Sequence, residues 1–320
     1  MKEYHQLDEI QSDLKEQKIS CLHLVEHYLQ RIESHKDLNA FVEVYEQEAK
    51  DKAREIDKKL KANVAGRLAG LIFGIKDLLC YKGHPVTGSS NILKGFESQF
   101  TATAVQRLID EDAIIIGHQN CDEFGMGSSN ENSAHGPTQN PIDPTRVPGG
   151  SSGASAAAIG AGLCHISLGT DTGGSVRQPA SFCGVVGIKP TYSRVSRWGL
   201  LAYASSFDTI GVIGKSVKDC ALVLEIMSGK DPNDATSSSR FVSEYSKANQ
   251  LNSSIKVAYY PDLLANENIQ KEVKKAYSNL VQALKNQGHD LVEVEFSYQE
   301  HILPTYYILT TAEASTNLSR

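Results

Sequence analysis

Short apolar runs alternate with helical segments through the middle of the chain, and this alternation limits the possible folds more than any other feature. The segment from Leu68 to Gly214 is rich in Gly, Ser, Thr and Ala. Its predicted elements are a strand at Leu71–Ile75, a helix at Thr103–Asp110, a strand at Ala113–Gly117, a helix at Ser152–Gly162 and a strand at His165–Leu168. Strands that alternate with helices are typical of a mixed, mainly parallel sheet covered by helices on both faces. The sequence therefore predicts an α/β fold.

The segment before this region is helical in pattern. Ser20 can cap a helix that runs to Ser34, and its apolar residues form a single stripe. A polar helix is predicted at Val44–Leu60. We therefore expect residues 1–66 to form an N-terminal helical segment that packs on a core of residues 67–320.

The segment after this region continues the alternation of helices and strands. Ser216 and Asp219 have the spacing of a capping box, which would open a helix that runs to Met227. The remaining predicted elements are a strand at Ser254–Tyr260, a helix at Ile269–Gln287, a strand at Asp290–Phe296 and a helix at Tyr306–Arg320.

Composition and charge exclude several classes of protein. The 320 residues include 32 Lys and Arg against 38 Asp and Glu, a net charge of −6, whereas a protein whose whole surface binds nucleic-acid phosphates would be basic. No stretch reaches the roughly 18 apolar residues that a membrane-spanning helix needs, and the N-terminus lacks the apolar core of a secretory signal. The six cysteines are dispersed without a CxxC pair, which predicts reduced, buried thiols in a cytoplasmic protein.

The stretch from Pro148 to Gly184 contains two glycine–serine clusters. The first surrounds Ser151 and the second ends at Ser175, 24 positions later, with an Ala-rich helix and a strand between them. Chain reversal across this unit can bring the two serines together. Glycines beside a serine let the backbone approach a ligand closely and turn successive amide N–H groups inwards. The amides that would suit a developing oxyanion are those of Thr172, Gly173, Gly174 and Ser175.

Lys76 directly follows the apolar strand Leu71–Ile75. A lysine delivered from a strand end into apolar surroundings loses hydration, so that its pKa falls and it can act as a neutral base near pH 7. A serine hydroxyl needs such a base because it is a poor nucleophile alone. On position alone, the plainer interpretation of Lys76 is a side chain whose amine reaches solvent.

Other patterns in this region do not support a different kind of site. The GxSxG pattern at Gly149–Gly153 requires a strand directly before its serine, but three prolines within residues 140–148 exclude a central strand. No phosphate-binding glycine motif follows a strand, and Asp122–Glu123 is interpreted as a solvated or capping pair. The histidines show no metal-type spacing, so no metal is expected, and those of this half are interpreted as structural or exposed: His84, His118, His135 and His165.

Three separated motifs together resemble the amidase signature family. They are GIKD at Gly74–Asp77, GGSS at Gly149–Ser152 before the Ala-rich helix, and the long glycine-rich stretch Gly169–Gly199. They occur in the order of the family and with its spacing between the two serines. Within the family, segments 120–133, 205–237 and 303–320 are most similar to the glutaminase subunits of tRNA-dependent amidotransferases.

The resemblance implies a Ser–cis-Ser–Lys triad that hydrolyses glutamine. Ser175 would be the nucleophile, Ser151 the bridging serine in a cis peptide, and Lys76 the base. Glutamine would acylate Ser175 and release ammonia, and water would then hydrolyse the acyl-enzyme. Gly127 and Tyr306 match family positions that bind the substrate.

The resemblance also implies partners, namely the B and C subunits of an amidotransferase. The ammonia would pass to the first of these, where misacylated Glu-tRNA(Gln) or Asp-tRNA(Asn) is activated with ATP and Mg²⁺ and amidated, while the second tethers the assembly. This chain would then need no cofactor of its own, would meet tRNA only through the amidating partner, and would have no contact with a membrane.

The sequence departs from the family pattern in two places. Ala154 stands where the family has glycine, and because a helix is predicted to begin there, we expect a helical backbone that tolerates alanine. Family members also continue past Arg320, where an acidic residue and an arginine hold the α-amino and α-carboxylate groups of glutamine. We therefore expect a C-terminally truncated chain with an incomplete substrate pocket. Two alternatives stay open, a free-standing amidase for another carboxamide and a truncated, non-catalytic chain.

Overall fold

Six strands form the central sheet in a computed structural model that describes residues 2–248 and 254–319. They are β1 (Phe41–Val44), β2 (Ile72–Lys76), β3 (Ile114–Gln119), β4 (Ile166–Asp171), β5 (Val186–Ile188) and β6 (Thr209–Gly214), in the spatial order β1-β3-β2-β4-β6-β5. The central strands β3, β2 and β4 are parallel to one another, whereas β1–β3, β4–β6 and β5–β6 are antiparallel pairs. Four of these six strands thus run in one direction, which confirms the predicted mixed, mainly parallel sheet.

Helices pack against this sheet and complete its core. They are α1 (Leu7–Lys15), α2 (Cys21–Ser34), α3 (Glu46–Lys61), α4 (Thr103–Asp110), α5 (Gly153–Gly160), α6 (Arg177–Phe182) and α7 (Val217–Met227). Helix α3 contacts β3, α5 contacts β4, and α7 contacts β6. Strands β2, β3, β4 and β6 are buried at every residue because they are covered on both faces, which explains their nearly continuous apolar sequences. All six cysteines are buried, as predicted.

Two of the predicted helix starts are capped as the sequence indicates. The Ser20 side chain accepts the N–H of His23 at 3.1 Å, and the Ser216 side chain accepts the N–H of Asp219 at 3.1 Å. The capping box at Ser216 is only half formed, because the Asp219 carboxylate accepts the N–H of Leu7 at 3.0 Å instead. This side chain therefore anchors α1 rather than its own helix.

The N-terminal segment belongs to the same compact unit as the sheet. The chain divides into one unit of Met1–Ser246 with Thr310–Arg320 and a second unit of Lys247–Leu309. The predicted boundary between residues 1–66 and 67–320 does not coincide with a boundary between these units. The physical reason is that the N-terminal segment supplies the edge strand β1 and buries Leu7 and Leu24 in the common core.

The second unit contains a small parallel sheet. Its elements are β7 (Lys256–Tyr259), α8 (Asp262–Ala265), α9 (Lys271–Asn286) and β8 (Asp290–Glu293), and β7 pairs with β8. Helix α10 (Gln299–Asn317) begins in this unit, earlier than the predicted start at Tyr306, and ends in the first unit. None of the helices in the described residues is both long and apolar enough to span a membrane.

Candidate active site

Lys76 is the last residue of β2, and its side chain is completely buried. Its Nζ lies 2.6 Å from Ser151 Oγ, 2.8 Å from Thr170 Oγ1 and 3.0 Å from Ser152 Oγ. The amine therefore sits among three hydroxyls at the centre of the sheet. The interpretation that it reaches solvent is wrong, because β2 is flanked by β3 and β4 and its end is covered by the segment that carries Ser151.

The hydrogen bonds around Lys76 leave Ser151 and Thr170 as the hydroxyls that can donate a proton to its amine, and Ser151 is the nearer of the two. The Ser152 hydroxyl donates to the Thr170 carbonyl oxygen at 3.1 Å and accepts the Thr170 N–H at 3.1 Å, so it can only accept from the amine. An uncharged amine has two hydrogens to donate and one lone pair that accepts. Ser151 is the nearest of the three hydroxyls, and its proton can therefore pass directly to Nζ.

Burial lowers the pKa of Lys76, because the charged ammonium loses its hydration at this position. Neighbouring acidic groups, among them Cys121, Asp122 and Asp171, act in the opposite direction, but desolvation prevails. Compared with an exposed lysine, the site therefore favours the neutral amine, which is the form that can accept a proton from a serine.

For the predicted triad, acylation of Ser175 is expected to slow as the pH falls through the pKa of Lys76 in the folded protein, since the protonated amine has no lone pair. Because burial lowers this pKa from its ordinary value of about 10.4, the rate should already be at its plateau at a pH where an exposed lysine is still charged. The measurement is a pH profile of kcat/KM. A rate that rises only through the ordinary lysine pKa would contradict this assignment.

Ser151 follows a cis peptide bond, Gly150–Ser151, directly before α5. Gln178 fixes this segment, because its Oε1 accepts the N–H of Gly150 at 2.9 Å while its Nε2 donates to the carbonyl of Ser128 at 2.9 Å. Residues 140–150 form no strand, so the GxSxG pattern is not part of a strand–turn–helix nucleophile elbow, as predicted. The segment is instead held by the Gln178 side chain of α6, which also contacts the loop at Ser128.

Ala154 lies within the first turn of α5 and is fully buried. Its N–H donates to Asn130 Oδ1 at 2.8 Å, which satisfies one of the free amides at the start of the helix. The expectation that the backbone of Ala154 is helical is confirmed.

Ser175 lies in the loop between β4 and α6 and is half-buried. Its carbonyl oxygen accepts the N–H of Ser152 at 3.1 Å. The structure therefore brings the two glycine–serine clusters together, as chain reversal predicts, and Ser152 joins the backbone of Ser175 to the amine of Lys76.

Asp171, the last residue of β4, organises the loop that carries Ser175. Its carboxylate accepts the N–H of Gly174 at 2.8 Å and of Val176 at 3.2 Å, and it pairs with the Arg177 guanidinium at 2.9–3.0 Å. Burial raises the pKa of Asp171, but the hydrogen bonds and charge of Arg177 together with the loop amides outweigh it and hold this pKa below its usual value. The carboxylate thus stays ionised and pins the loop.

Of the four predicted oxyanion donors, Thr172, Gly173 and Gly174 lie in different environments. The Gly174 N–H donates to Asp171, so the prediction that it faces an oxyanion is not supported. Gly173 is exposed at the tip of the loop, and Thr172 is half-buried beside it. The roles of these two amides stay predictions.

Replacing Asp171 with asparagine should reduce the free energy of unfolding by about 2–3 kcal/mol, because Arg177 and the loop amides lose a buried charged acceptor. Since the pKa of Asp171 is lowered in the folded state, its contribution is complete above the ordinary pKa of about 3.9 and is lost as the pH falls through the folded value. Urea unfolding of Asp171→Asn at neutral pH measures the effect.

Asp143→Asn is the matched control for this prediction. Asp143 also accepts an arginine, Arg146 at 3.0 Å, but both side chains are exposed, so a change below about 0.5 kcal/mol is expected. Equal effects of the two substitutions would mean that the Asp171 contacts add nothing to the stability of the loop.

Gly127 lies beside the segment that leads to Ser151. A Cβ on Gly127 would lie 2.3 Å from Asp122 Cγ, and a Cβ on Gly150 would lie 2.1 Å from Asp122 Oδ2, so both glycines pack on one buried carboxylate. Asp122 also accepts the N–H of Asn130 at 2.9 Å, a structural role rather than an acid–base one. Gly125, which sequence analysis does not single out, lies closer to the triad, since its Cβ would be 3.6 Å from Ser151 Oγ.

Tyr306 lies on α10 in the second unit, whereas Lys76, Ser151 and Ser175 lie in the first. Its ring centroid is 5.5 Å from that of Tyr307. Its role in substrate binding stays a prediction.

Two of the histidines have structural hydrogen bonds, as expected. His118 is buried and its Nε2 lies 2.8 Å from the carbonyl of Leu79, and His165 Nε2 lies 2.9 Å from Asp219 Oδ2. Burial lowers the pKa of His118, which keeps this ring neutral. The described residues contain no cluster of His, Cys, Asp and Glu suited to a metal ion.

Several residues that build the site are not identified by sequence analysis. Ser152 follows the predicted Ser151, and Thr170 and Asp171 directly precede the predicted Thr172. Their polar side chains beside these motifs are the sequence signal that could have identified them. Gln178 gives no such signal, because its contact with Gly150 joins positions that only the fold brings together. The residues missed are Gly125, Ser152, Thr170, Asp171, Arg177 and Gln178.

Comparison with known sequences assigns the chain to a family. A sequence profile of the amidase family matches residues 23–320. The chain belongs to the amidase family. It is 46% identical over 325 residues to a Chlorobaculum parvum protein, the A subunit of glutamyl-tRNA(Gln) amidotransferase, in a match that covers 99% of this chain and 66% of that relative. The chain thus spans just under two thirds of the length of this relative.

Solved structures of amidases share the fold. The A subunit of glutamyl-tRNA(Gln) amidotransferase from Thermotoga maritima superimposes with a TM-score of 0.79 at 38% identity, over 96% of this chain and 67% of that one. The peptide amidase of Stenotrophomonas maltophilia superimposes with a TM-score of 0.87 at 29% identity, over 98% and 66%. The α/β fold described above is therefore that of the amidase family.

Proposed function

We propose that this chain hydrolyses glutamine to glutamate and ammonia, with Ser175 as nucleophile, Ser151 as bridging serine and Lys76 as base. Ser175 Oγ attacks the carboxamide carbon while its proton passes to Ser151 and the Ser151 proton passes to Lys76 Nζ. The protonated Lys76 then returns a proton through Ser151 to the leaving nitrogen, which departs as ammonia. Water attacks the resulting ester in the reverse sense, releases glutamate and restores Ser175.

The observation that carries this proposal is the contact between Lys76 Nζ and Ser151 Oγ, 2.6 Å in a fully buried setting that lowers the pKa of the amine. A buried amine that is bonded to hydroxyls rather than to a carboxylate is costly in a purely structural role. As a neutral base aimed at a serine, it has a chemical use. The hydrogen bond from the Ser152 N–H to the Ser175 carbonyl oxygen keeps the loop that carries Ser175 beside this pair.

The relatives named as amidotransferase subunits support a place for this chain in a multi-subunit complex. We propose that its partners are the B and C subunits of an amidotransferase, and that the ammonia is passed to the first of these for amidation of Glu-tRNA(Gln) or Asp-tRNA(Asn). That amidating partner would use ATP and Mg²⁺ and would bind the tRNA, so that this chain contacts tRNA only indirectly. The complex would act in the cytoplasm.

A second candidate function is the hydrolysis of another carboxamide without partner subunits. It is favoured by the structural similarity to a peptide amidase, which has a higher TM-score but a lower sequence identity than the amidotransferase subunit. The two candidates differ in substrate and in dependence on partners, while the triad chemistry is common to both.

The test is a substrate comparison on the chain co-expressed with the B and C subunits of a relative and on the chain alone. Glutamine, a C-terminally amidated peptide and an aliphatic amide are supplied, and ammonia release is measured. Co-purification with the subunits and preference for glutamine are the expected results. Preference for the peptide or aliphatic amide, with no association, would replace the first candidate by the second.

A further inference from the structure

We propose that Asp208 is a positioning residue for the loop that carries Ser175, and that the C-terminal end of α10 holds the segment around Asp208 in place. The inference rests on the proposed function, because it concerns the reactivity of Ser175. It adds two elements to the site, the Thr172–Asp208 hydrogen bond and the contacts of Glu313 and Asn317.

Asp208 joins two loops through the two oxygens of one carboxylate. It is 3% exposed, and its Oδ1 accepts the hydroxyl of Thr172 at 2.7 Å. Its Oδ2 accepts the N–H of Tyr203 at 2.9 Å and of Ala204 at 3.0 Å. Burial raises the pKa of Asp208, while the hydrogen bonds from Thr172, Tyr203 and Ala204 favour its carboxylate form. These hydrogen bonds fix Thr172 relative to residues 203–204.

The sheet places Asp208 and Thr172 side by side. Asp171, at the end of β4, is the register partner of Thr209, at the start of β6. Thr172 is therefore the first residue beyond one strand and Asp208 the last before the other. Asp171 holds the nucleophile loop through its amides at Gly174 and Val176, whereas Asp208 holds the same loop at its beginning through a side chain.

Residues 203–206, which include the two amides bound by Asp208, are also hydrogen-bonded to α10. Asn317 Nδ2 donates to the Tyr203 carbonyl and to Ser205 Oγ, each at 3.1 Å. Glu313 Oε2 accepts the N–H of Ser206 at 2.9 Å. Glu313 and Asn317 lie four positions apart on one helix face, and both belong to the same compact unit as the triad.

A continuous set of hydrogen bonds therefore runs from α10 through residues 203–206 and Asp208 to Thr172, three positions before the nucleophile. A misplacement of a reacting group by about 1 Å can cost about a hundredfold in rate, so a loop fixed at both ends has a catalytic benefit. The set predicts effects on kcat and on the reactivity of Ser175, with KM for glutamine little changed.

The test compares Thr172→Val, which removes the hydroxyl at nearly constant volume, with Thr172→Ser, which keeps it. Thr172→Val should lower kcat and the rate of Ser175 labelling by a fluorophosphonate about tenfold or more, and Thr172→Ser should restore most of both. Thr103→Val is the matched control, because Thr103 also donates to a buried aspartate, Asp231 at 2.5 Å, but at the start of α4. It should leave both rates unchanged.

A double-mutant cycle tests the contribution of α10. Asn317→Ala alone should lower the labelling rate severalfold, and it should have little further effect in the Thr172→Val background, because both act through Asp208. Additive effects of Asn317→Ala and Thr172→Val on the labelling rate would overturn the inference, and so would a Thr172→Val enzyme as fast as Thr103→Val. The proposed function would stand in either case as long as Ser175→Ala abolishes activity. Activity retained by Ser175→Ala would instead overturn the proposed function itself.

Discussion

Replacing Ser175 with alanine is expected to lower glutamine hydrolysis by about 10³-fold or more, because the nucleophile that forms the acyl-enzyme is removed. Ser151, whose Oγ lies 2.6 Å from Lys76 Nζ, is assigned the proton relay, so no second nucleophile is expected. The fold should be unaffected, because the contact that Ser175 makes with Ser152 uses its backbone carbonyl, which alanine retains. Ammonia release and the thermal midpoint of unfolding are the two measurements.

Ser181→Ala is the matched control, since Ser181 lies on α6 close along the chain but is exposed. Its rate should equal that of the unaltered chain. A Ser175→Ala protein that releases ammonia as fast as Ser181→Ala would mean that the nucleophile is another residue.

Replacing Lys76 with methionine is expected to lower the rate by a similar factor, because Ser151 loses the amine that accepts its proton. Methionine is similar in length and uncharged, and the site already disfavours charge, so the folded state should be retained. Three hydroxyls lose a partner, which predicts a loss of about 1–3 kcal/mol in the free energy of unfolding. Urea unfolding and fluorophosphonate labelling separate the two effects.

Lys82→Met provides the comparison, because Lys82 is an exposed lysine just beyond the end of β2. Labelling of this variant should match the unaltered chain. If Lys76→Met were still labelled at the rate of Lys82→Met, Ser175 would be activated by a group other than Lys76.

Local sequence signals predict much of the fold because they report local energetics. The helix at Thr103–Asp110 has the predicted bounds, and the Ser20 cap is formed as the sequence indicates. The strands β1 and β5 are not predicted, since four and three residues are too few for a periodic pattern to develop. Strand β6 is not predicted because Gly211 interrupts its short apolar run. The unit boundary is also missed, because strand β1 joins the sheet through long-range pairing that composition does not reveal.

The residues of the candidate site also divide into those that local sequence patterns predict and those that only the fold reveals. Ser151, Ser175 and Lys76 could be predicted because glycine-rich turns and a strand-end lysine leave a visible pattern. Asp208 could not, since its contact with Thr172 joins residues 36 positions apart through the pairing of β4 with β6. The Gly174 amide is assigned to the oxyanion in the sequence analysis because the sequence does not reveal that Asp171 accepts its hydrogen.

The most direct test of the central claim is to locate a covalent adduct. The chain is treated with a fluorophosphonate, digested, and sequenced by mass spectrometry, alongside Lys76→Met and Ser151→Ala. We predict a single adduct on Ser175 Oγ in the unaltered chain and a strongly reduced yield in both variants. An adduct on Ser151 or elsewhere, or undiminished labelling of Ser175 in Lys76→Met, would contradict a Ser175–Ser151–Lys76 triad.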